Sequence, residues 1–350
     1  MIILKEKILG RTGFKVKTLG FGGIPIQRIP EEDAIRVVRR CYELGINYFD
    51  TARGYTNSEE RIGKALEDVR EKVYIATKSH QRTYDGIMKE FEISIKNLRT
   101  DYIDNYQLHN VGNEEQWQKV QSEGGALEAV YELKEQEKIK HISVTSHSPD
   151  LSLEMVKSDH FATIMIPYNY LATKPAEELL PLCQKLDVGT IIMKPFGGGA
   201  FSNANTALKY VYNNPDSDIV IPGVATIAEL EENWNIWKGD MNLTSEELEL
   251  IEEDKQMLGD QFCRSCNYCQ PCPQEIPIST ILRTETQVLR RMGWSDSRVQ
   301  MVKDAKEKLD NCIHCGLCES RCPYELPIQE LLPKAMERLW DLMESRSIPN

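Results

Sequence analysis

The chain has 350 residues, is 41% hydrophobic, and carries 42 Lys and Arg against 54 Asp and Glu, a net charge of −12. That length holds one large domain plus a small one, and the acidic balance argues against nucleic acid or an anionic membrane surface as partner. The opening ten residues are too short and too charged for a secretory signal, and no apolar run approaches membrane-spanning length, so the expected location is the reducing cytoplasm.

Taken in order, the short apolar pieces around Gly10 and Gly13 predict a hairpin. Strand and helix patterns then alternate. Apolar, β-branched runs fall at 18–22, 46–50, 73–77, 102–108, 141–145, 162–166, 189–193 and 219–222. Amphipathic stretches follow them at 31–44, 58–68, 84–98, 126–137, 149–156, 175–186, 206–212 and 227–237. Eight strands, each followed by a helix, predict an α/β fold: a (β/α)8 TIM barrel spanning 1–258. Ser148 before Pro149, and the pairs Thr226/Glu229 and Thr244/Glu247, have helix-start spacing. The last pair opens an extra acidic helix at 245–255.

Past Gly259 the composition turns cysteine-rich. The segment 259–350 holds 12 Lys and Arg against 13 Asp and Glu, so the negative charge belongs to the barrel. Helical patterns at 278–291, 297–308 and 328–343 predict an α-helical ferredoxin-like domain. Eight of the ten cysteines lie here. Cys312, Cys315, Cys318 and Cys322 have the C-x2-C-x2-C-x3-C-P spacing of bacterial ferredoxins, and Cys263, Cys266, Cys269 and Cys272 are one residue shorter at the last interval. Three closely spaced thiolates wrap one corner of a cubane, and the fourth reaches a second cluster. The expectation is two 4Fe–4S clusters with crossed ligation. Cys263, Cys266, Cys269 and Cys322 would hold one; Cys312, Cys315, Cys318 and Cys272 would hold the other. Disulfides suit short secreted chains, and zinc needs only two C-x2-C pairs per site. Cys41 and Cys183 lie on apolar helix faces and read as core residues.

Reacting groups of a barrel sit just beyond the C-terminal ends of its strands. Asp50 closes the second predicted strand with Tyr55 beyond it, Lys78 follows the third and His109 the fourth. A phenol is a weak acid unless its anion is stabilised, and a nearby Lys78 ammonium would lower the pKa of Tyr55. Asp50 would hold Lys78, His109 would orient a carbonyl oxygen, and Tyr55 would protonate it as a hydride arrives at carbon.

With these residues in place, the sequence from about Leu4 to Asp254 resembles the aldo-keto reductase family. The resemblance is carried by Phe49–Asp50–Thr51–Ala52 with Tyr55, Ser58–Glu59–Glu60, Gly63–Lys64–Ala65–Leu66, Thr77–Lys78, Asp101–Tyr102–Ile103–Asp104, His109, Ile221–Pro222–Gly223 and Glu232–Asn233. With its cysteine tail, the whole chain looks like a ferredoxin-tailed branch of that family. The resemblance implies Asp50, Tyr55, Lys78 and His109 as the catalytic tetrad. It also implies reduction of a small carbonyl compound, or oxidation of the alcohol, with NAD(H) or NADP(H).

The cofactor contacts that the resemblance implies are less complete. The Ser-Asn pair after strand five reads Thr145–Ser146, the Gln of strand six is Met165, and the Tyr after strand seven is Met193. Lys194 follows, then the run Gly197–Gly198–Gly199, which reads equally as amides suited to a pyrophosphate or as a flexible lid tip. Gly223 and Glu229 stand where basic residues commonly grip the 2′-phosphate of NADP, so neither nucleotide is favoured. Lys194 could supply the missing charge. Glu232 and Asn233 complete the implied cofactor set. Trp117, in the polar stretch after His109, has two readings, simple packing or a lid over the substrate.

A hydride carries two electrons and a 4Fe–4S cluster accepts one. The runner-up is therefore a ferredoxin-coupled oxidoreductase, with a flavin to split the pair and a redox protein as partner. The third reading is a non-catalytic electron-transfer or redox-sensing protein. Substrate identity and oligomeric state are not encoded in these patterns.

Overall fold

The computed structural model describes residues 5–201, 203–259, 261–264, 269–289, 293–322 and 324–347. Two compact units emerge: Met1–Pro195 with Asn203–Leu248, and Phe196–Ser202 with Glu249–Asn350.

In the first unit, strands β1 (Glu6–Ile8) and β2 (Lys15–Lys17) form the expected antiparallel hairpin. Leu9, Phe14 and Val16 come off it and are buried with Tyr48, Ile191 and Ile219. The backbone of Arg11 donates to the carbonyl of Asp187, just ahead of the strand beginning at Gly189. The hairpin thus plugs the end of the barrel where strands begin.

The barrel strands are β3 (Phe21–Gly22), β4 (Tyr48–Asp50), β5 (Tyr74–Ser79), β6 (Ile103–Leu108), β7 (Ile139–Thr145), β8 (Thr163–Pro167), β9 (Gly189–Met193) and β10 (Ile219–Val220). They pair in sequence order, all parallel. Parallel bridges Leu19↔Val220 and Gly22↔Gly223 join the two edges, so the sheet closes. Closure needs glycine at position 22, where a Cβ would stand 2.8 Å from the Ile221 carbonyl oxygen. The strands are buried on both faces, as a parallel barrel covered by helices requires.

Helices α1 (Glu31–Glu43), α2 (Ser58–Leu66) and α3 (Tyr84–Leu98) follow β3, β4 and β5. One further helix departs from expectation. Residues Glu114–Gln121 (α4) are helical, started by Asn113, whose side chain accepts from the Gln116 N–H. Trp117 lies on its buried face at 1% exposure, and its Nε1 donates to Glu154 Oε1 at 2.7 Å. It is a core residue, which is the packing reading and not the lid. Helices α5 (Ala126–Glu135), α6 (Pro149–Lys157), α7 (Leu179–Lys185), α8 (Ala204–Tyr212), α9 (Ile227–Lys238) and α10 (Ser245–Leu258) complete the series. Cys41 and Cys183 are buried, and burial pushes the Cys183 thiol up to about 12. Both are inert core residues.

The second unit is helical, as expected. Ile278–Arg283 passes into a π-helical turn at Thr284–Leu289, and longer helices span Asp296–Asp310 and Ile328–Ser345. Ile328, Leu332, Met336, Leu339 and Met343 recur at helical spacing and are buried with Ile278, Ile281 and Val302. Each such side chain contributes about 1.5–3 kcal/mol of burial.

Candidate active site

The register of β4, β5 and β6 assembles the site. Lys78 pairs with Gln107 across β5 and β6, so both side chains point the same way, toward Asp50 at the end of β4. Lys78 Nζ lies 2.6 Å from Asp50 Oδ2 and 2.7 Å from the Thr51 carbonyl. Gln107 Nε2 donates to Asp50 Oδ1 at 2.9 Å. All three side chains are buried. Burial pushes Asp50 up and Lys78 down, and their mutual attraction opposes both shifts.

Tyr55 sits in the turn after β4, its N–H donating to the Ala52 carbonyl. Lys78 Nζ is 5.1 Å from the centre of its ring. His109 follows β6, its N–H bonded to the Ser79 carbonyl, and its ring meets that of Tyr55 edge-on at 5.9 Å. His80 stacks on the His109 ring at 3.8 Å. Arg82 Nη2 donates to the His109 carbonyl at 2.7 Å. The structure therefore brings together all four expected catalytic side chains.

The electrostatics correct one expectation. Tyr55 lies above the usual phenol range, through burial first and the Asp50 charge second. The Lys78 ammonium, whose protons are directed at Asp50 and the Thr51 carbonyl, does not offset that burial. Tyr55 is held as a neutral phenol. Burial, then the charges of Lys78, His80, Arg82 and His147, hold His109 well below the usual imidazole range. It is a neutral imidazole, and its Nδ1 is buried with no partner among the described residues.

The expected cofactor residues fare unevenly. Thr145 Oγ1 accepts from the Asn110 N–H at 2.8 Å, and Ser146 Oγ donates to the Val111 carbonyl at 2.7 Å. These hydroxyls brace the turn that carries His109. Lys194 holds a left-handed backbone at φ 56°, rare for a residue with a side chain, and its carbonyl accepts from Asn169 Nδ2 at 2.9 Å. Gly197 and Gly198 are also left-handed and belong to the second unit, where Arg283 Nη2 donates to the Gly197 carbonyl at 3.3 Å. Gly223 packs on Pro25, whose Cγ would lie 2.8 Å from a Cβ. Glu229 accepts from the N–H groups of Ala225 and Thr226, completing a capping box. On α9, Glu232 is exposed and Asn233 buried.

Residues 18–207, more than half of the chain, match the model of the aldo/keto reductase family. The chain belongs to the aldo/keto reductase family. A relative, "Probable aldo-keto reductase 1" of Glycine max, is 30% identical over 253 residues, covering 66% of this chain and 69% of that protein. "Uncharacterized oxidoreductase YqkF" of Bacillus subtilis is 29% identical over 210 residues, covering 56% and 66%. The holo form of an aldo-keto reductase from Bacillus halodurans aligns with a TM-score of 0.63 at 27% identity, covering 71% of this chain and 96% of that one. The chain is an oxidoreductase enzyme of this family, and among its described residues no helix is long and apolar enough to cross a membrane.

This reductase carries a second match: residues 262–327 fit the model of a 4Fe–4S dicluster domain. Its cysteines sort by pocket rather than by sequence run. Cys272, Cys312, Cys315 and Cys318 line one pocket, with Ile276 and Leu332 in its wall. Cys263, Cys269 and Cys322 line another, walled by Leu282, Tyr324 and Leu326. Cys269 and Ile278 border both, so the pockets adjoin. Cys266 lies outside the described residues. No three His, Cys, Asp or Glu side chains among the described residues converge as on a single metal ion. Thiols gathered around these pockets are the donor set that a 4Fe–4S cluster takes.

Gln107, His80 and His147 were not expected at the site. Gln107 follows the inward alternation of its strand, which was the available signal.

Proposed function

We propose that this reductase interconverts a small aldehyde or ketone and its alcohol, with NAD(H) or NADP(H) as redox partner. The observation that carries the reading is the buried Lys78–Asp50 pair, 2.6 Å apart, beside the rings of Tyr55 and His109. A bound nicotinamide would supply or accept the hydride. The neutral His109 imidazole binds and orients the carbonyl oxygen. Tyr55, kept protonated by its burial, gives its proton to that oxygen as negative charge develops there. Lys78 lies close enough to stabilise the phenolate left behind, and Asp50 fixes the position of Lys78. Lys194, at the end of β9, is the basic residue for a nucleotide phosphate, since position 223 has no side chain and Glu229 is committed to its cap.

The C-terminal segment would hold two 4Fe–4S clusters. Cys263, Cys266, Cys269 and Cys322 are assigned to one, and Cys272, Cys312, Cys315 and Cys318 to the other. The sorting of cysteines between the two pockets supports this crossed assignment.

Protein purified without oxygen should oxidise NADH or NADPH with a panel of small carbonyls. Tyr55→Phe should lower kcat by about 10²–10⁴-fold. Absence of turnover with either nucleotide, or a Tyr55→Phe variant as fast as the parent, would overturn the reading.

A further inference from the structure

The tetrad has a fifth member that nothing in its chemistry requires at first sight. We propose that Gln107 is a positioning residue for the reaction, its amide fixing the Asp50 carboxylate against the Lys78 ammonium. The inference rests on the carbonyl-reductase reading above.

Gln107 is fully buried on β6, in register with Lys78. Its Nε2 donates to Asp50 Oδ1 at 2.9 Å while Lys78 takes Oδ2 at 2.6 Å. Each carboxylate oxygen therefore has one dedicated donor from a neighbouring part of the barrel, and the carboxylate cannot rotate without losing both. The amide has only one workable orientation. Turned over, it would set its oxygen against a carboxylate oxygen. In the orientation it holds, Oε1 is buried without a hydrogen-bond partner among the described residues. A buried orphan acceptor is costly. A leucine or methionine would fill the same space without that cost, so the amide is explained by what Nε2 does for Asp50.

The charged and titratable groups around Asp50 are Lys78 on β5, Tyr48 on β4 and Tyr55 in the following turn. Glu59 and His109 feel the same pair through Lys78. Among the described residues, Lys78 and Gln107 are the hydrogen-bond donors to the carboxylate. A hydrogen bond to a charged form favours that form. Removing the amide therefore makes Asp50 protonate at higher pH. Protonated Asp50 no longer holds Lys78, and Tyr55 loses the neighbour that stabilises its anion.

The test is Gln107→Met, close in shape and without polar hydrogen, with Gln107→Glu as the second variant. Gln107→Met should lower kcat at least about tenfold, leave the KM for the carbonyl within about threefold, and move the acid limb of the kcat profile up by about one pH unit. Gln107→Glu should work at acid pH, where the introduced carboxyl group carries a proton to donate to Asp50. It should lose activity as pH rises and two carboxylates face each other. Unchanged kcat and limb in Gln107→Met would overturn the proposal. So would a loss of kcat with the limb unmoved, which is what a packing role alone produces. Infrared titration of the Asp50 carboxylate band, assigned with Asp50→Asn, reads the same shift without turnover. If wild type and Tyr55→Phe show that the reductase reading is wrong, that band alone decides: a band that titrates identically in wild type and Gln107→Met refutes the role of Gln107.

Discussion

Lys78 Nζ and Asp50 Oδ2 stand 2.6 Å apart with both side chains almost wholly excluded from water. Desolvation presses each toward neutrality, and the contact holds only because each offsets the loss of water for the other. Removing one partner strands the other. Lys78→Met should destabilise the protein by about 3–5 kcal/mol, measured by urea unfolding. The double variant Asp50→Leu/Lys78→Met should recover most of that while remaining inactive. A single variant as stable as the parent would mean that Asp50 is not held as a buried charge.

Two buried imidazoles give the fold an acid weakness. Burial depresses His109 and His147 well below the ordinary histidine range. Their folded values lie below the unfolded value of about 6.5, so the unfolded chain binds more protons once pH falls below that point. Stability is full above about pH 6.5 and declines as pH falls toward the folded values, by up to about 1.4 kcal/mol per pH unit for each imidazole. Asp50, with its raised value, pulls the other way, but equally in parent and variant. His147→Phe should therefore flatten the slope of unfolding free energy between about pH 6.5 and 5. Parallel slopes for the two proteins would refute the account.

The cap of α9 makes a claim about Glu229 as well as about stability. Thr226 Oγ1 accepts from the Glu229 N–H at 3.1 Å, while the Glu229 carboxylate accepts from Ala225 and Thr226. Thr226→Ala should cost about 1 kcal/mol in thermal or urea unfolding. It should also leave the ratio of NADH to NADPH turnover unaltered if the cap alone accounts for the carboxylate. A changed nucleotide preference would assign Glu229 to cofactor recognition.

The barrel was legible because short runs rich in apolar and β-branched residues alternate along the chain with amphipathic helix patterns. The tetrad was legible because strand ends are where barrel chemistry sits. Two things were hidden. Glu114–Gln121 is mostly polar and short, so its period was weak. Its clearest marker was Asn113, placed to accept from Gln116, and that cap also explains why Trp117 is buried. The side-chain partners of Thr145 and Ser146 were hidden as well. The resemblance implied a cofactor contact for them, but only the fold shows that the Asn110 N–H and Val111 carbonyl engage them. The direction of the Tyr55 shift had the same origin, since burial and the competing partners of Lys78 depend on strand register rather than on residue type.

Cys272 provides the sharpest test of the cluster assignment. In sequence it closes the run begun by Cys263, yet it lines the pocket of Cys312, Cys315 and Cys318. Two filled clusters carry about eight iron atoms per chain. Cys272→Ala should reduce anaerobically reconstituted protein toward about four, as should Cys315→Ala. The double variant Cys272→Ala/Cys315→Ala should lose no more than either single one, because both residues serve one cluster. Cys272→Ala/Cys263→Ala should fall toward zero, because it damages both. Uncrossed ligation predicts the reverse for the two pairs, so iron analysis with electron paramagnetic resonance of the reduced protein separates the schemes without any assay of turnover.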